Sequence, residues 1–271
     1  ADLAVDGAFD ADIHIRDGVL LSGHVQLHDV DIGDPRDRFR FDDLMGDVVF
    51  SRGQAAQAGT LSWSGGALYG LAFSGTRLAL ESSEGTLRLR EPASIPLLGG
   101  ALELQRLSVE PPDADSPFEV RLAMDVDDVD IASLSEAVGW PAFRGTLSGR
   151  IPEARYANDR LVFDGDLVMD LFGGQVRATG LAMERPFGSA PTLTADLSLD
   201  DIDMFALTEV LDFGSISGRL DGRIDGLRLV DWQPVAFDAR LLTDRHPGVR
   251  QRISQRAVQN ISSVGDASFA G

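Results

Sequence analysis

The amino-acid sequence predicts a mainly β protein, built as a long curved antiparallel sheet that forms a repeating β-groove, or trough. Short helices connect the strands, and one amphipathic helix ends the chain. Apolar and polar residues alternate with a period of two along most of the sequence, which is typical of strands with one solvated face. A long segment also occurs twice. Repeated units bury their apolar faces against their neighbours, so the recurrence indicates an array and not a single enzyme domain.

The repeat has a period of seventy-odd residues. The segment 127–151 recurs as 200–224 with ten of twenty-five positions identical, and the Gly-Gly pair at 99–100 recurs at 173–174. A unit of this length has room for about four strands and one short helix. On this basis the chain divides into four parts, at 1–110 (an N-terminal β-groove segment), 111–199 (a repeat unit), 200–246 (an incomplete second unit) and 247–265 (the amphipathic helix). We expect the chain to be a fragment of a larger protein.

The composition excludes several classes of function. Forty-three acidic residues against 24 basic ones give a formal net charge of −19. Such an excess repels phosphate backbones and anionic lipid surfaces, so we expect no nucleic-acid binding. The chain has no cysteine, so it has neither disulfides nor thiolate metal sites. We also expect no cofactor, and no apolar run approaches the length of a membrane span.

The first hundred residues predict a series of strands. Apolar residues occupy the odd positions from Leu3 to Ile15, Asp17-Gly18 indicates a hairpin turn, and Val19 to Val30 reads as the returning strand. A weaker strand pair is predicted between Phe39 and Phe50. Four short strands, separated by glycine-containing turns, are then predicted at 59–63, 68–73, 76–80 and 86–90.

Each repeat unit predicts a helix between strands. A strand at 101–110 and an alternating strand from Phe118 precede Asp130, which can cap a helix. Asp203 takes the same place in the second copy. Further strands are predicted from the Gly-Leu-Gly-Ile segments that follow each helix, and at 160–171, 175–183 and 192–199.

The tail has helical periodicity. Between residues 247 and 265 apolar residues recur every three or four positions, and several arginines accompany them without any acidic residue before Asp266. The stripe consists of Val249, Ile253, Ala257, Ile261 and Val264. Two roles remain open for this helix. It could plug the end of the groove, or its arginines could hold it on a membrane surface.

The predicted helices are too few to cover the apolar side of so many strands. Either a second sheet seals this side, or the sheet curls into a trough whose inner wall is covered by a ligand. Glycines at 145, 149, 218 and 222 share a face with apolar residues and relieve crowding on the inside of a bend, which favours the trough. The residues expected to line this wall are Phe118, Val120, Leu122, Met124, Leu147, Ile151, Leu161, Phe163, Leu167, Met169, Leu193, Leu197, Leu220, Ile224, Val235 and Phe237.

Other candidate sites have simpler explanations. His24 and His28 share a strand face and could hold a metal ion, but histidines on polar strand faces are more often simply solvated. The acidic residues at 125–130 lack the glycine and glutamate spacing of a calcium loop. The segment 214–218 places isoleucine where a nucleophile elbow needs serine. We therefore expect no metal site and no catalytic residues.

Three motifs together resemble a known family. They are Asp-Asp-x-Asp-x-x-x-Leu-x-Glu leading into Gly-x-Leu-x-Gly-Arg-Ile, the turn at 171–174, and the stretch from Gly226 to Phe237. They are similar to the C-terminal part of the AsmA-like superfamily, nearest to its YdbH- and TamB-type members. This resemblance implies a bridge-like lipid-transfer protein in the periplasm of a Gram-negative bacterium, anchored in the inner membrane through a segment outside this chain.

Two functions follow as expectations. The resemblance implies a groove that conducts phospholipids between the inner and outer membranes, with envelope components of both membranes as partners. The alternative is a scaffold for outer-membrane proteins that accepts their strands at open sheet edges. Neither function requires an enzyme, and the family offers no catalytic residues to transfer.

Overall fold

The computed structural model describes residues 3–36, 38–113, 116–244 and 252–260. The chain is mainly β, and one antiparallel sheet of fifteen strands contains almost all of the strands described. A two-stranded sheet and three short helical segments complete the described part. The predicted fold class, a long antiparallel sheet with short connecting helices, is confirmed.

Strands follow one another in the sheet in nearly the order of the sequence. The sheet order is β1-β2-β3-β4-β5-β6-β8-β9-β10-β11-β12-β13-β15-β16, with β7 beside β5 and β8, while β14 and β17 form the second sheet. The elements are β1 (Ala4–Arg16), β2 (Val19–Gly33), β3 (Phe39–Ser51), β4 (Gln57–Leu68), β5 (Leu71–Ser83), β6 (Thr86–Leu89), β7 (Ala93–Leu97), β8 (Gly100–Glu110), β9 (Glu119–Asp130), α1 (Ile131–Ala137), β10 (Gly145–Ala157), β11 (Arg160–Leu171), β12 (Gly174–Glu184), β13 (Thr192–Asp203), α2 (Met204–Val210), β14 (Ile216–Ser217), β15 (Arg219–Val230), β16 (Gln233–Asp244), β17 (Arg252–Ile253) and α3 (255–260).

The prediction of several short strands between residues 39 and 80 was wrong. A single strand, β3, replaces the predicted weak pair, and β4 and β5 are long strands. The glycines that seemed to mark turns lie inside strands, where they make room for neighbours. A Cβ on Gly66 would lie 2.5 Å from the ring of Phe73, and one on Gly75 would lie 2.6 Å from the carbonyl oxygen of Trp63.

The sequence repeat corresponds to a repeated strand-helix-strand arrangement, β9-α1-β10 and β13-α2-β15. Asp130 accepts a hydrogen bond from the backbone N–H of Ser133 at 2.7 Å, and Asp203 accepts one from that of Phe205 at 2.8 Å. Both aspartates are the predicted N-caps of these helices. The helices have seven residues each.

The repeated Asp-Asp and Gly-Gly pairs meet in the sheet. Asp128 and Asp201 have φ angles of 47° and 51° and interrupt the regular pairing of their strands. The neighbouring backbone approaches so closely that a Cβ on Gly100 would lie 2.1 Å from the carbonyl oxygen of Asp127, and one on Gly174 would lie 2.3 Å from that of Asp201. Only glycine fits at these points, which explains why the two pairs share one period.

The tail differs from the predicted helix at 247–265. Within the described residues, Arg252–Ile253 form strand β17 against β14, and the helix occupies only 255–260. Ser254 exchanges hydrogen bonds with Ser215 on the loop after α2, so the chain is extended there and the single stripe is broken. Ala257 is buried, whereas Ile253 is exposed. Val249, Ile261 and Val264 lie outside the described residues.

A candidate lipid-binding face

One face of the large sheet is apolar from end to end, and we call it the inner face. Residues paired across neighbouring strands lie on the same face, so a row of pairs traces it. One such row crosses seven strands, from β8 to β15, through Val109, Val120, Tyr156, Leu161, Met183, Leu193 and Leu229. A second row crosses six strands, from β10 to β16, through Leu147, Met169, Val176, Leu199, Gly222 and Leu241.

The predicted lining residues occupy this face with different degrees of cover. Ile151 and Leu220 are buried, and Phe118, Val235 and Phe237 are exposed. The other eleven are partly exposed, and they are Val120, Leu122, Met124, Leu147, Leu161, Phe163, Leu167, Met169, Leu193, Leu197 and Ile224. These eleven residues retain contact with solvent, whereas Trp63, Leu78, Leu80 and Leu104 on the middle strands are buried in an apolar core of the same face.

The inner face extends beyond the predicted residues into the N-terminal half of the chain. There the ring of Phe41 lies 5.5 Å from that of Trp63 and 5.3 Å from that of Phe73. On β1, Phe9 and Ile13 continue the face and are more than half exposed. The alternation of β1 was visible in the sequence, but the misread glycines in β4 and β5 concealed the continuity.

Glycines on the inner face lie beneath large apolar side chains of the next strand. A Cβ on Gly149 would lie 2.8 Å from Cδ2 of Leu167, and one on Gly222 would lie 2.7 Å from Cδ2 of Leu241. The larger side chain therefore folds over the glycine of its partner. This pairing allows the sheet to bend toward its apolar side without crowding.

No second large sheet covers the inner face in the part of the chain that the structure describes. The only other sheet there is the pair β14 and β17.

The opposite face carries charged pairs. Arg150 lies 2.9 Å from Asp125, and Arg177 pairs with Asp166. Arg155 donates to Glu119, and this hydrogen bond lowers the pKa of the Glu119 carboxyl. Glu119 is buried, whereas the pairs of Arg150 and Arg177 are solvated and contribute little stability individually. They identify this face as the outside of the trough.

A loop from the C-terminal half covers part of the inner face in the N-terminal half. The ring of Phe187, between β12 and β13, lies 6.1 Å from that of Phe39 and 5.9 Å from that of Tyr156. Arg38 donates a hydrogen bond to the carbonyl oxygen of Phe187, and Asp34 holds the same guanidinium through contacts of 2.6 and 2.7 Å.

These contacts join opposite ends of the strands. The start of β3 lies at one end and the β12–β13 loop lies at the other. Neighbouring strands rotate by roughly 20–25°, so the nine steps from β3 to β13 rotate the strands by about 180–225°. The two strand ends thereby meet. A second junction forms in the same way. The indole N–H of Trp140 donates to the carbonyl oxygen of Trp232 at 2.9 Å, and the ring of Tyr69 packs edge-on against the Trp232 ring.

The described residues contain no group of three or more potential ligands that could hold a metal ion. Nε2 of His24 lies 2.8 Å from a carboxylate oxygen of Asp47, and His28 lies 3.5 Å from Asp10. Among the same residues, no helix is long and apolar enough to cross a membrane.

Comparisons with protein-family models, with characterised proteins and with solved structures find no match for this chain. The resemblance to the AsmA-like superfamily therefore stays a prediction from sequence motifs. The geometry of the inner face is the evidence from which a function can be argued.

Proposed function

We propose that this chain is a β-groove segment that binds phospholipid acyl chains along its inner face and conducts lipids between two membranes. By the family resemblance, these are the inner and outer membranes of a Gram-negative bacterium, and the groove lies in the periplasm between their envelope components. The proposal includes no catalytic step. Its main support is the unbroken, partly exposed inner face.

The continuity of the inner face favours conduction over binding at a single point. Moving one CH₂ group from an apolar surface into water costs about 0.8 kcal/mol, so an acyl chain leaving an isolated pocket would meet a large barrier. Along the inner face each strand offers the next apolar row at a spacing of about 4.8 Å. A chain can then slide while most of its methylenes remain covered.

The charged outer face and the partly exposed inner face fit the same function. A phospholipid headgroup is polar, and it keeps its hydration if it travels along the open side of the trough. The net charge of −19 disfavours tight electrostatic capture of anionic headgroups. The affinity of the groove is therefore expected to come from acyl-chain burial.

Mass spectrometry of the purified chain tests the proposal. We expect phospholipids to copurify and to transfer between donor and acceptor vesicles when the chain is added. Absence of bound lipid, together with vesicle transfer no faster than without protein, contradicts the proposal.

The open edges of the sheet support a second candidate, the assembly scaffold. Within the described residues, β1 and β16 each pair with a neighbour on one side only. Unpaired strand edges can accept an extended peptide by strand addition. Under this alternative, peptides copurify in place of lipids, and substitution of inner-face residues leaves peptide binding unchanged.

A further inference from the structure

The loop that carries Phe187 flanks an apolar cavity on the inner face, and the cavity is partly open. This cavity has a volume of about 560 Å³, and its lining is almost wholly apolar. The inner faces of β3, β4 and β5 form its floor, and Phe187 lies over it. The residues that line it and carry the argument are Phe39, Phe41, Leu68, Phe73 and Phe187.

Its single charged feature is a neutralised pair at the rim. Asp34 and Arg38 face each other through two hydrogen bonds, and the Asp34 side chain is 3% exposed. The guanidinium is already satisfied by this carboxylate and by the carbonyl oxygen of Phe187. The rim therefore offers no net charge to a phosphate or an ammonium group. A hydrocarbon chain matches the chemistry of the cavity, and a headgroup does not.

The cover is held by few contacts. Phe187 touches the rings of Phe39 and Tyr156 yet remains 48% exposed. The turn that contains it is closed by one backbone hydrogen bond, from the N–H of Gly188 to the carbonyl oxygen of Arg185 at 2.9 Å, and Arg38 donates to the carbonyl oxygen of Phe187. A segment with so little burial opens at low cost, in contrast to the paired strands on either side.

We propose that this cavity is a discrete resting site for one phospholipid acyl chain, and that the β12–β13 loop is the cover that admits and retains the chain. This inference rests on the proposed lipid-binding function and deepens it. The groove then contains a partly open site beside Phe187, where the β12–β13 loop meets the start of β3. An acyl chain enters when Phe187 swings away, and the lipid headgroup stays outside the Asp34–Arg38 pair.

Tryptophan fluorescence provides the test, because Trp63 lies against the two rings that form the cavity floor. The probe is phosphatidylcholine vesicles whose acyl chains carry bromine at mid-chain, which quench only a tryptophan in contact. The Trp63 signal is obtained by subtracting the spectrum of Trp63→Phe. We expect brominated vesicles to quench this signal and unbrominated vesicles to leave it unchanged.

Variants of the cover and of the cavity complete the experiment. Phe187→Ala should speed the onset of quenching several-fold, whereas Ser189→Ala, an exposed substitution in the same loop, should not. Leu68→Asp places a charge at a partly exposed cavity position and should suppress quenching. If lipid copurifies but Trp63 is not quenched, the cavity proposal is wrong and the groove proposal stands. Equal quenching of Trp63 in the unsubstituted chain and in Leu68→Asp also contradicts the cavity proposal. Absence of any bound lipid contradicts both proposals.

Discussion

Replacing Phe163 by aspartate places a carboxylate on the inner face of β11, and the adjacent residue provides a matched control. Phe163 pairs with Ala154 on the inner face and packs near Ala178 and Ala195. Val162, its neighbour in sequence, points to the outer face and is 43% exposed. Phe163→Asp and Val162→Asp therefore add the same charge to the same strand on opposite sides.

The size of the effect follows from the spacing of the sheet. One strand position covers roughly 5 Å of wall, which corresponds to roughly four methylenes of an acyl chain. Losing their apolar contact costs about 3 kcal/mol at about 0.8 kcal/mol per CH₂, which is roughly a hundredfold in rate. Transfer of a fluorescent phospholipid between vesicles should slow by about this factor in Phe163→Asp and remain near the unsubstituted rate in Val162→Asp. Equal transfer by the two variants, each shown to be folded by circular dichroism, refutes the reasoning.

Three further predictions concern stability. Asp130→Ala and Asp203→Ala each remove a helix N-cap and should lower the free energy of unfolding by about 1 kcal/mol, measured by urea denaturation; no change in either variant contradicts the assigned caps. Ile151→Ala removes a side chain that is 2% exposed, so it should cost roughly 2–5 kcal/mol, and a loss below about 0.5 kcal/mol argues against burial at this position. The hydrogen bond from Arg38 lowers the pKa of Asp34 from 3.8 to about 2, so its stabilisation is fully present above about pH 4 and is lost as the pH falls toward 2. Asp34→Asn should flatten the pH dependence of the unfolding free energy in this range. An unchanged pH dependence would show that the Asp34 carboxylate is not its source.

The order of strands and helices could be predicted from the sequence because these elements depend on local patterns. Alternation of period two predicted the strands, and β11 at Arg160–Leu171 matches its prediction at both ends. The caps Asp130 and Asp203 predicted where the helices begin, since a capping side chain acts within one helical turn. The repeat of Asp-Asp and Gly-Gly pairs also predicted a common structure, although their direct contact is visible only in the sheet.

Features that depend on distant contacts escaped prediction. Glycine is common in turns and is also tolerated inside a bent strand, so Gly66 and Gly75 gave the wrong boundaries for β4 and β5. The meeting of Phe39 and Phe187 results from the accumulated twist of nine strand steps, and no local pattern records it. The prediction of a helix over the tail was wrong for a related reason. Residues 252–253 pair with β14, and this pairing outweighs the helical periodicity of the sequence.

The candidate site was predicted in part. The sixteen lining residues came from the repeat region, where the alternation is regular, and eleven of them lie partly exposed on one continuous face. The N-terminal part of this face was missed, including Phe41, Trp63 and Phe73. Their signal, aromatic residues separated by glycines, is shared by many turns and became interpretable only through strand register.

Photo-crosslinking with a phospholipid that carries a diazirine in its acyl chain tests the central claim most directly. The lipid is bound to the purified chain, irradiated, and the labelled residues are mapped by mass spectrometry. We predict labels on inner-face residues in both halves of the sheet, such as Phe41, Leu122, Leu147 and Leu197, and none on the outer face. Labels distributed equally over both faces, or absent from the inner face, contradict the claim that this sheet is a lipid-binding groove.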